Sequence, residues 1–368
     1  MKPRQIVDQF LKRHWTDSLI KKYMGEYASS WLIYASDEGI RKNAASGGTI
    51  TALLAYMLET GKIDGALVLR SYVEANELHT KYEIVTSVDG LIGAQGSKYM
   101  TTNYTRDAVP LIRSFPGKLA LVLLPCDTWV VNRLRKNDAE IKKKVVLRIA
   151  LFCGHISDPG LTRMLIQKQK PAGVSLLDFR YRQGHWRGQT SYDFENNTSI
   201  EKPFSKFSDF QNLYFYCARK CLHCQDHTGY DSDISIGDVW LMAMKYDPIK
   251  HNAIIVRNEH SDRLVNGAIQ AGYLVGKEVP IELIADAQSR SLPMHYNVSA
   301  RSVAGKLLGI KISDPVHERV RPIDFLVALF ILINFRITSN TRGRTVLRRL
   351  PKPLIKLYLY FLKALEVL

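Results

Sequence analysis

Five cysteines, at positions 126, 153, 217, 221 and 224, carry the sharpest chemistry in the chain. Cys221-Leu222-His223-Cys224 places two thiols at C-x-x-C spacing, so both can bind one metal centre from a single turn. A pair alone fits half a zinc site, a redox disulfide or part of an iron–sulfur site. Closing a tetrathiolate site needs two more. Cys126 follows the apolar run 119–124 (LALVLL), and Cys153 follows 145–152 (VVLRIALF). Both runs read as buried strands. The ends of adjacent strands in an α/β sheet converge on an edge where ligands bind, which would bring Cys126 and Cys153 to the 221/224 pair. Either one alone also reads as a small buried hydrophobe. Cys217 is an alternative ligand, and His155, His223 and His227 would suit zinc.

Two glycine segments offer a second kind of site. Ser46-Gly47-Gly48 precedes a helical pattern, and a helix N-terminus with permissive backbone attracts phosphate. The same residues serve equally as a turn and N-cap. Gly96-Ser97-Lys98-Tyr99 sets a flexible backbone, a hydroxyl, a cation and an aromatic ring in succession, as a dinucleotide site or an ordinary loop would. No G-x-G-x-x-G and no Walker-type loop is present. Residues 233–240 (DISIGDVW) alternate like a strand. Gly237 would allow close approach to a redox site, and the plainer reading is a sheet strand with a packed tryptophan. Asp127, His155 and Asp238 are acid–base candidates only because they adjoin these motifs.

Apolar runs at 31–35, 63–70, 81–86, 119–124 and 145–152 alternate with helical patterns such as 49–58, which predicts an α/β core. Residues 174–215 add aromatic, β-prone strands beside it. The expected fold is a mixed-sheet core with flanking helices, added strands, a cysteine-bearing loop and a C-terminal helical tail. The expected division is an N-terminal helical segment over 1–30, a core over 31–315 and the tail over 316–368.

The chain has 368 residues, 46% of them hydrophobic, and a net charge of +16. That composition builds a globular core and calls for an anionic partner. The tail joins the apolar run 325–335 to Arg336, Arg342, Arg344, Arg348, Arg349, Lys352 and Lys356, a pattern suited to an anionic membrane surface or to a packed helical hairpin. No nucleic-acid-binding module is visible, and no nucleic-acid partner is expected. MKPRQIVDQFLKRHW has no uninterrupted apolar stretch, so a cytoplasmic location is expected, with a peripheral position on the inner membrane face open. Five cysteines in such a compartment speak for metal or redox use over a disulfide framework.

Taken in order, residues 41–48 (RKNAASGG), 96–99 (GSKY), Pro125-Cys126, Phe152-Cys153-Gly154-His155, 221–226 (CLHCQD) and 233–240 resemble the coenzyme F420 hydrogenase/dehydrogenase beta-subunit family over roughly residues 30 to 300. The resemblance implies an FAD-binding α/β oxidoreductase with one 4Fe-4S cluster and a ferredoxin-like or other redox partner. It implies Cys126, Cys153, Cys221 and Cys224 as cluster ligands. Around the flavin it implies Ser46, Gly47, Gly48, Gly96, Ser97, Lys98 and Tyr99, with Lys98 stabilising negative charge. Family members often carry Gly-Thr-Pro-Cys-Gln where this chain has Leu123-Leu124-Pro125-Cys126-Asp127, which would alter flavin approach or substrate access. Larger members carry an N-terminal ferredoxin-like domain whose extra cysteines are missing here. The basic apolar tail resembles bacterial members associated with cell-surface polysaccharide synthesis. Two rival readings stand beside this one: a non-catalytic electron-transfer or accessory subunit, and a zinc-stabilised binding protein.

Overall fold

The structure is a computed structural model that describes residues 15–367. Its strands are β1 (Ser29–Ala35), β2 (Gly65–Glu74), β3 (Glu77–Val85), β4 (Leu119–Leu123), β5 (Val145–Leu151), β6 (Leu176–Gln183), β7 (Gln189–Phe194), β8 (Ser199–Pro203), β9 (Ile234–Asp238), β10 (Asn252–Val256) and β11 (Leu274–Glu278). Eight of them form one mixed sheet in the order β11-β1-β10-β9-β5-β4-β2-β3. Its centre, β2-β4-β5-β9, is parallel, and the flanking pairs are antiparallel. β4 and β5 are continuous apolar runs because helices cover both faces of a parallel centre. The remaining three strands make a separate antiparallel sheet, β6-β7-β8, whose Phe179, Tyr181, Tyr192 and Phe194 are buried.

The helices that matter for function are α1 (Thr49–Glu59), α2 (Pro125–Asn137), α3 (Val298–Leu307), α4 (Pro322–Thr338), α5 (Thr341–Arg349) and α6 (Lys352–Val367). Gly48 caps α1 with φ +77°, a left-handed conformation that favours glycine. α2 starts at Pro125, and Asp127 in its first turn accepts the Leu124 N–H at 3.2 Å, so the strand-to-helix turn carrying Cys126 is locally fixed.

The described part of the expected helical segment over 1–30 holds one helix and the start of β1. A helix spans Asp17–Met24, Gly25 with φ +74° ends it, and the chain is already in β1 from Ser29. Ser29 and Ser30 are tied down by Asp262 and the Val279 carbonyl, contacts no local pattern announces. Residues 1–14 lie outside the described residues.

α4 packs against α3 and buries Val327, Ala328, Ile331 and Leu332. α6 lies over α4, yet Leu354, Leu357, Tyr360 and Phe361 stay exposed, Leu357 at 68% and Tyr360 at 70%. Among the described residues no single helix is long and apolar enough to cross a membrane, and α4 with α5 reaches that length only across a 103° bend.

Candidate functional site

β4 and β5 run parallel with Leu123 opposite Ala150, so Cys126 and Cys153, just beyond their ends, share one sheet edge. The 217–224 loop is stitched to that edge by backbone. Ala218 N–H donates to Ile156 O and Cys153 N–H to His227 O, each at 2.9 Å. Ile156 N–H donates to Cys221 Sγ at 3.5 Å. The chain then turns back along β5 through Gly229, at φ +70°, where a Cβ would stand 2.3 Å from that of Ala150. Only a glycine passes there, and this close approach draws the loop onto the sheet edge.

The four thiols named from the sequence therefore stand in one another's electric field. Cys126 and Cys153 each feel both thiols of the 221/224 pair, and Cys153 feels Cys126. Burial first, then neighbouring negative charge, pushes Cys126 and Cys153 upward. Burial also raises Cys224, to about 12. Cys221 alone is lowered, chiefly by neighbouring Cys217. A thiolate set in such surroundings is stabilised by cationic ligation. Cys126 is solvent-accessible yet densely surrounded, and exposed Trp129 follows one turn later on α2. Among the described residues, no three His, Cys, Asp or Glu side chains close around a single ion.

Of the histidines that would suit zinc, His223 and His227 are hydrogen-bonded elsewhere, whereas His155 Nε2 has no partner among the described residues. His223 Nδ1 accepts the Ser313 N–H at 3.1 Å. The His227 ring bridges the Cys153 carbonyl at 3.2 Å and Gln288 Oε1 at 3.0 Å, and burial lowers its pKa to about 4. His155 stacks on Tyr214 with ring centroids 5.0 Å apart, and burial lowers it to about 3. Among the three acid–base candidates His155 is thus neutral, and Asp238 is held ionised by an arginine. Burial raises Asp127 to about 6.

The glycine segments meet in a second, adjoining site. Arg182, on β6, grips Asp238 of β9 with both guanidinium nitrogens, at 2.5 and 2.8 Å. Tyr99 lies close to Arg182, and Ser46, near Asp238, donates its hydroxyl to the His251 carbonyl at 2.9 Å. Gln95 Nε2 ties the 96–99 loop to the other glycine segment through Ile40 O at 3.2 Å and Thr51 Oγ1 at 3.1 Å. Ser46, Arg182, Trp186, Asp238, Trp240 and Lys250 line an open recess, with the Arg182 guanidinium 4.9 Å from the Trp240 ring centroid. Trp186 Nε1 and Arg182 Nε have no hydrogen-bond partner there. Space lies open beside Gly96, where a Cβ would meet nothing within 4 Å.

Other predicted positions take structural duties. Gly47 lets the chain press against β10, since its Cβ would stand 2.9 Å from Asn252 Oδ1 and Lys250 O. Lys98 Nζ donates to the carbonyls of Ala94 and Gln95 at the end of the preceding helix, and burial lowers its pKa to about 7. At Gly237 the close approach is made by protein: the Phe152 ring fills the space where a Cβ would be.

Two buried arginines escaped sequence reasoning. Arg182 alternates with Tyr181 in a strand, and Arg301 sits in the apolar stripe Val298–Arg301–Ala304 of α3. For Arg301 the cation in an otherwise apolar stripe is a local sign, whereas Arg182 alternates with Asp178 and Arg180 and carries none.

Two family models match the chain, and both describe the beta subunit of coenzyme F420 hydrogenase/dehydrogenase. The model of its N-terminal part matches residues 31–106. The model of its C-terminal part matches residues 117–281. The chain is 23% identical over 269 residues to the coenzyme F420 hydrogenase subunit beta of Methanococcus voltae, covering 69% of this chain and 86% of that one. It is 29% identical over 278 residues to the F420-dependent formate dehydrogenase 1 subunit beta of Methanococcus maripaludis, covering 72% of this chain but 66% of that longer relative. In structure it resembles a chain of the F420-reducing NiFe hydrogenase complex from Methanosarcina barkeri, with TM-score 0.60 and 18% identity, over 79% of this chain and 97% of that one. That likeness concerns the fold.

Proposed function

The chain belongs to the coenzyme F420 hydrogenase/dehydrogenase beta-subunit family, and on that premise we propose that it is an iron–sulfur flavoprotein passing electrons between a two-electron donor or substrate, FAD and one 4Fe-4S cluster. The observation that carries this reading is the sheet edge where the ends of β4 and β5 and backbone hydrogen bonds bring Cys126, Cys153 and the 217–224 loop together. A cluster sets its iron and sulfide atoms between the thiolates, so its ligands stand wider apart than those of a lone ion.

When bound, a flavin links two-electron to one-electron chemistry and a cluster stores single electrons. The protein's own part is to hold and tune them. The four cysteines would ligate the cluster, with Cys217 close to Cys221 and its thiol donating to the Ala218 carbonyl. Ser46, Gly47, Gly48, Gly96, Ser97, Lys98 and Tyr99 would surround the flavin. Lys250 supplies positive charge to the recess, where Arg182 is paired with Asp238, and Trp186 and Trp240 supply apolar faces for a planar ring. Accessible Cys126, exposed Trp129 and Lys220 form the face on which a ferredoxin-like redox partner would dock. The named relatives are subunits, which favours a relay role alongside a partner.

The second expected partner is an anionic membrane surface in the cytoplasm. Exposed Leu354, Leu357, Tyr360 and Phe361 lie beside Arg348, Arg349, Lys352 and Lys356, apolar area framed by positive charge. A substrate carried on lipid, such as a glycan for cell-surface polysaccharide, would be met there. Co-flotation with vesicles containing anionic phosphatidylglycerol, and its loss with pure phosphatidylcholine or in the L357D/Y360D variant, checks the docking. Unchanged flotation in that variant would refute it.

The central reading is tested by iron, sulfide and flavin analysis of anaerobically purified protein. Iron and sulfide in equal amounts, with FAD released on denaturation, are expected. A colourless protein holding stoichiometric zinc would overturn it.

A further inference from the structure

Arg301 has the largest fully buried side chain among the described residues, with 0% exposure. Its Nε donates to Leu222 O and its Nη2 to Cys224 O, each at 2.8 Å, and its Nη1 donates to Met294 O. Two of these three carbonyls belong to the C-x-x-C turn. No ion pair joins Arg301 to a carboxylate among the described residues. Asp324 and Glu366 line the same small cavity, but Asp324 is engaged by Arg321 and Asn297, and Glu366 by Lys363. The groups whose negative charge reaches Arg301 most strongly are Cys224, Tyr214, Cys217 and Cys221. A buried guanidinium surrounded by neutral carbonyls is costly unless an anionic centre lies close by. Only the thiolate set supplies one here.

We propose that Arg301 is the positioning residue and cationic counter-charge of the iron–sulfur site. It holds the C-x-x-C turn through two carbonyls and offsets the negative charge of the ligated centre. The inference rests on the cluster reading above. It concerns a residue beyond position 281, where the family-model match ends. A planar fork that satisfies three carbonyls at once is a task for arginine; lysine keeps the charge but not the geometry.

A cluster ligated by four thiolates is anionic and gains one further negative charge when a one-electron reductant such as dithionite reduces it. A fixed cation nearby favours the reduced state and raises the midpoint potential. The test is a potentiometric titration, followed by electron paramagnetic resonance, on wild type, R301K and R301Q, each assayed for iron and for secondary structure by circular dichroism. The expected result is a more negative midpoint in R301Q and a midpoint near wild type in R301K. Should R301Q fold but fail to hold iron, retention in R301K supports the counter-charge and equal loss in R301K overturns it. An iron-loaded R301Q with the wild-type midpoint also overturns it. Iron-free wild type instead refutes the cluster reading beneath, a distinguishable failure.

Discussion

The two buried arginines, Arg182 and Arg301, solve the same electrostatic problem differently. Arg182 is neutralised within the protein by a bidentate bond to Asp238 and lies against the Trp240 ring. Arg301 has backbone carbonyls and nearby thiols. A neutralised pair can wall a recess and orient groups within it without demanding a ligand. A cation compensated only by thiols is poised for an anionic centre. The comparison assigns the Asp238 side to shaping a recess and the cysteine side to holding charge.

The largest effect that sharpens this contrast is expected from Cys153→Ser. It should abolish most of the iron content and visible absorption while leaving the Arg182–Asp238 recess and its flavin content in place. Metal and flavin assays of the same preparation check both halves. Asp238→Asn should do the reverse, leaving Arg182 buried without its counter-charge. A loss of about 3 kcal/mol of stability follows from breaking a buried pair on one side, read by denaturant unfolding, and flavin should be lost before iron.

Gly229→Ala probes the approach that brings the cysteine loop to the sheet. The added Cβ would meet Ala150 and the residue would sit at φ +70°, so about 1–3 kcal/mol of destabilisation is expected from thermal unfolding. The smallest effect concerns Lys98, whose pKa burial lowers from 10.5 to about 7. Between those values the unfolded chain binds more protons than the folded one. Lys98 therefore makes stability of the cofactor-free protein rise with pH across that window, with its full penalty remaining below pH 7. Lys98→Met should flatten this slope in urea titrations run from pH 7 to 9.

The contrast also marks what a sequence discloses. The cysteines announce themselves by type and by their place after apolar strands, because β4 and β5 are legible as continuous buried runs. The C-x-x-C pair and the 233–240 strand are equally local signals. What joins them is not local. Gly229 matters because Ala150 lies against it, Gly237 because Phe152 fills the space, and Ser46 meets Asp238 through a sheet whose order no single segment encodes. The arginines are plain in the sequence as charges, but their burial and partners emerge only when elements about sixty to eighty residues apart come together.

The most direct test of the central claim is the low-temperature electron paramagnetic resonance spectrum of anaerobic protein reduced with dithionite, measured for wild type and Cys153→Ser. A spin-half signal of a reduced 4Fe-4S cluster in the wild type, lost in the variant, is predicted. A silent wild-type sample whose cysteines titrate fully as free thiols would contradict it.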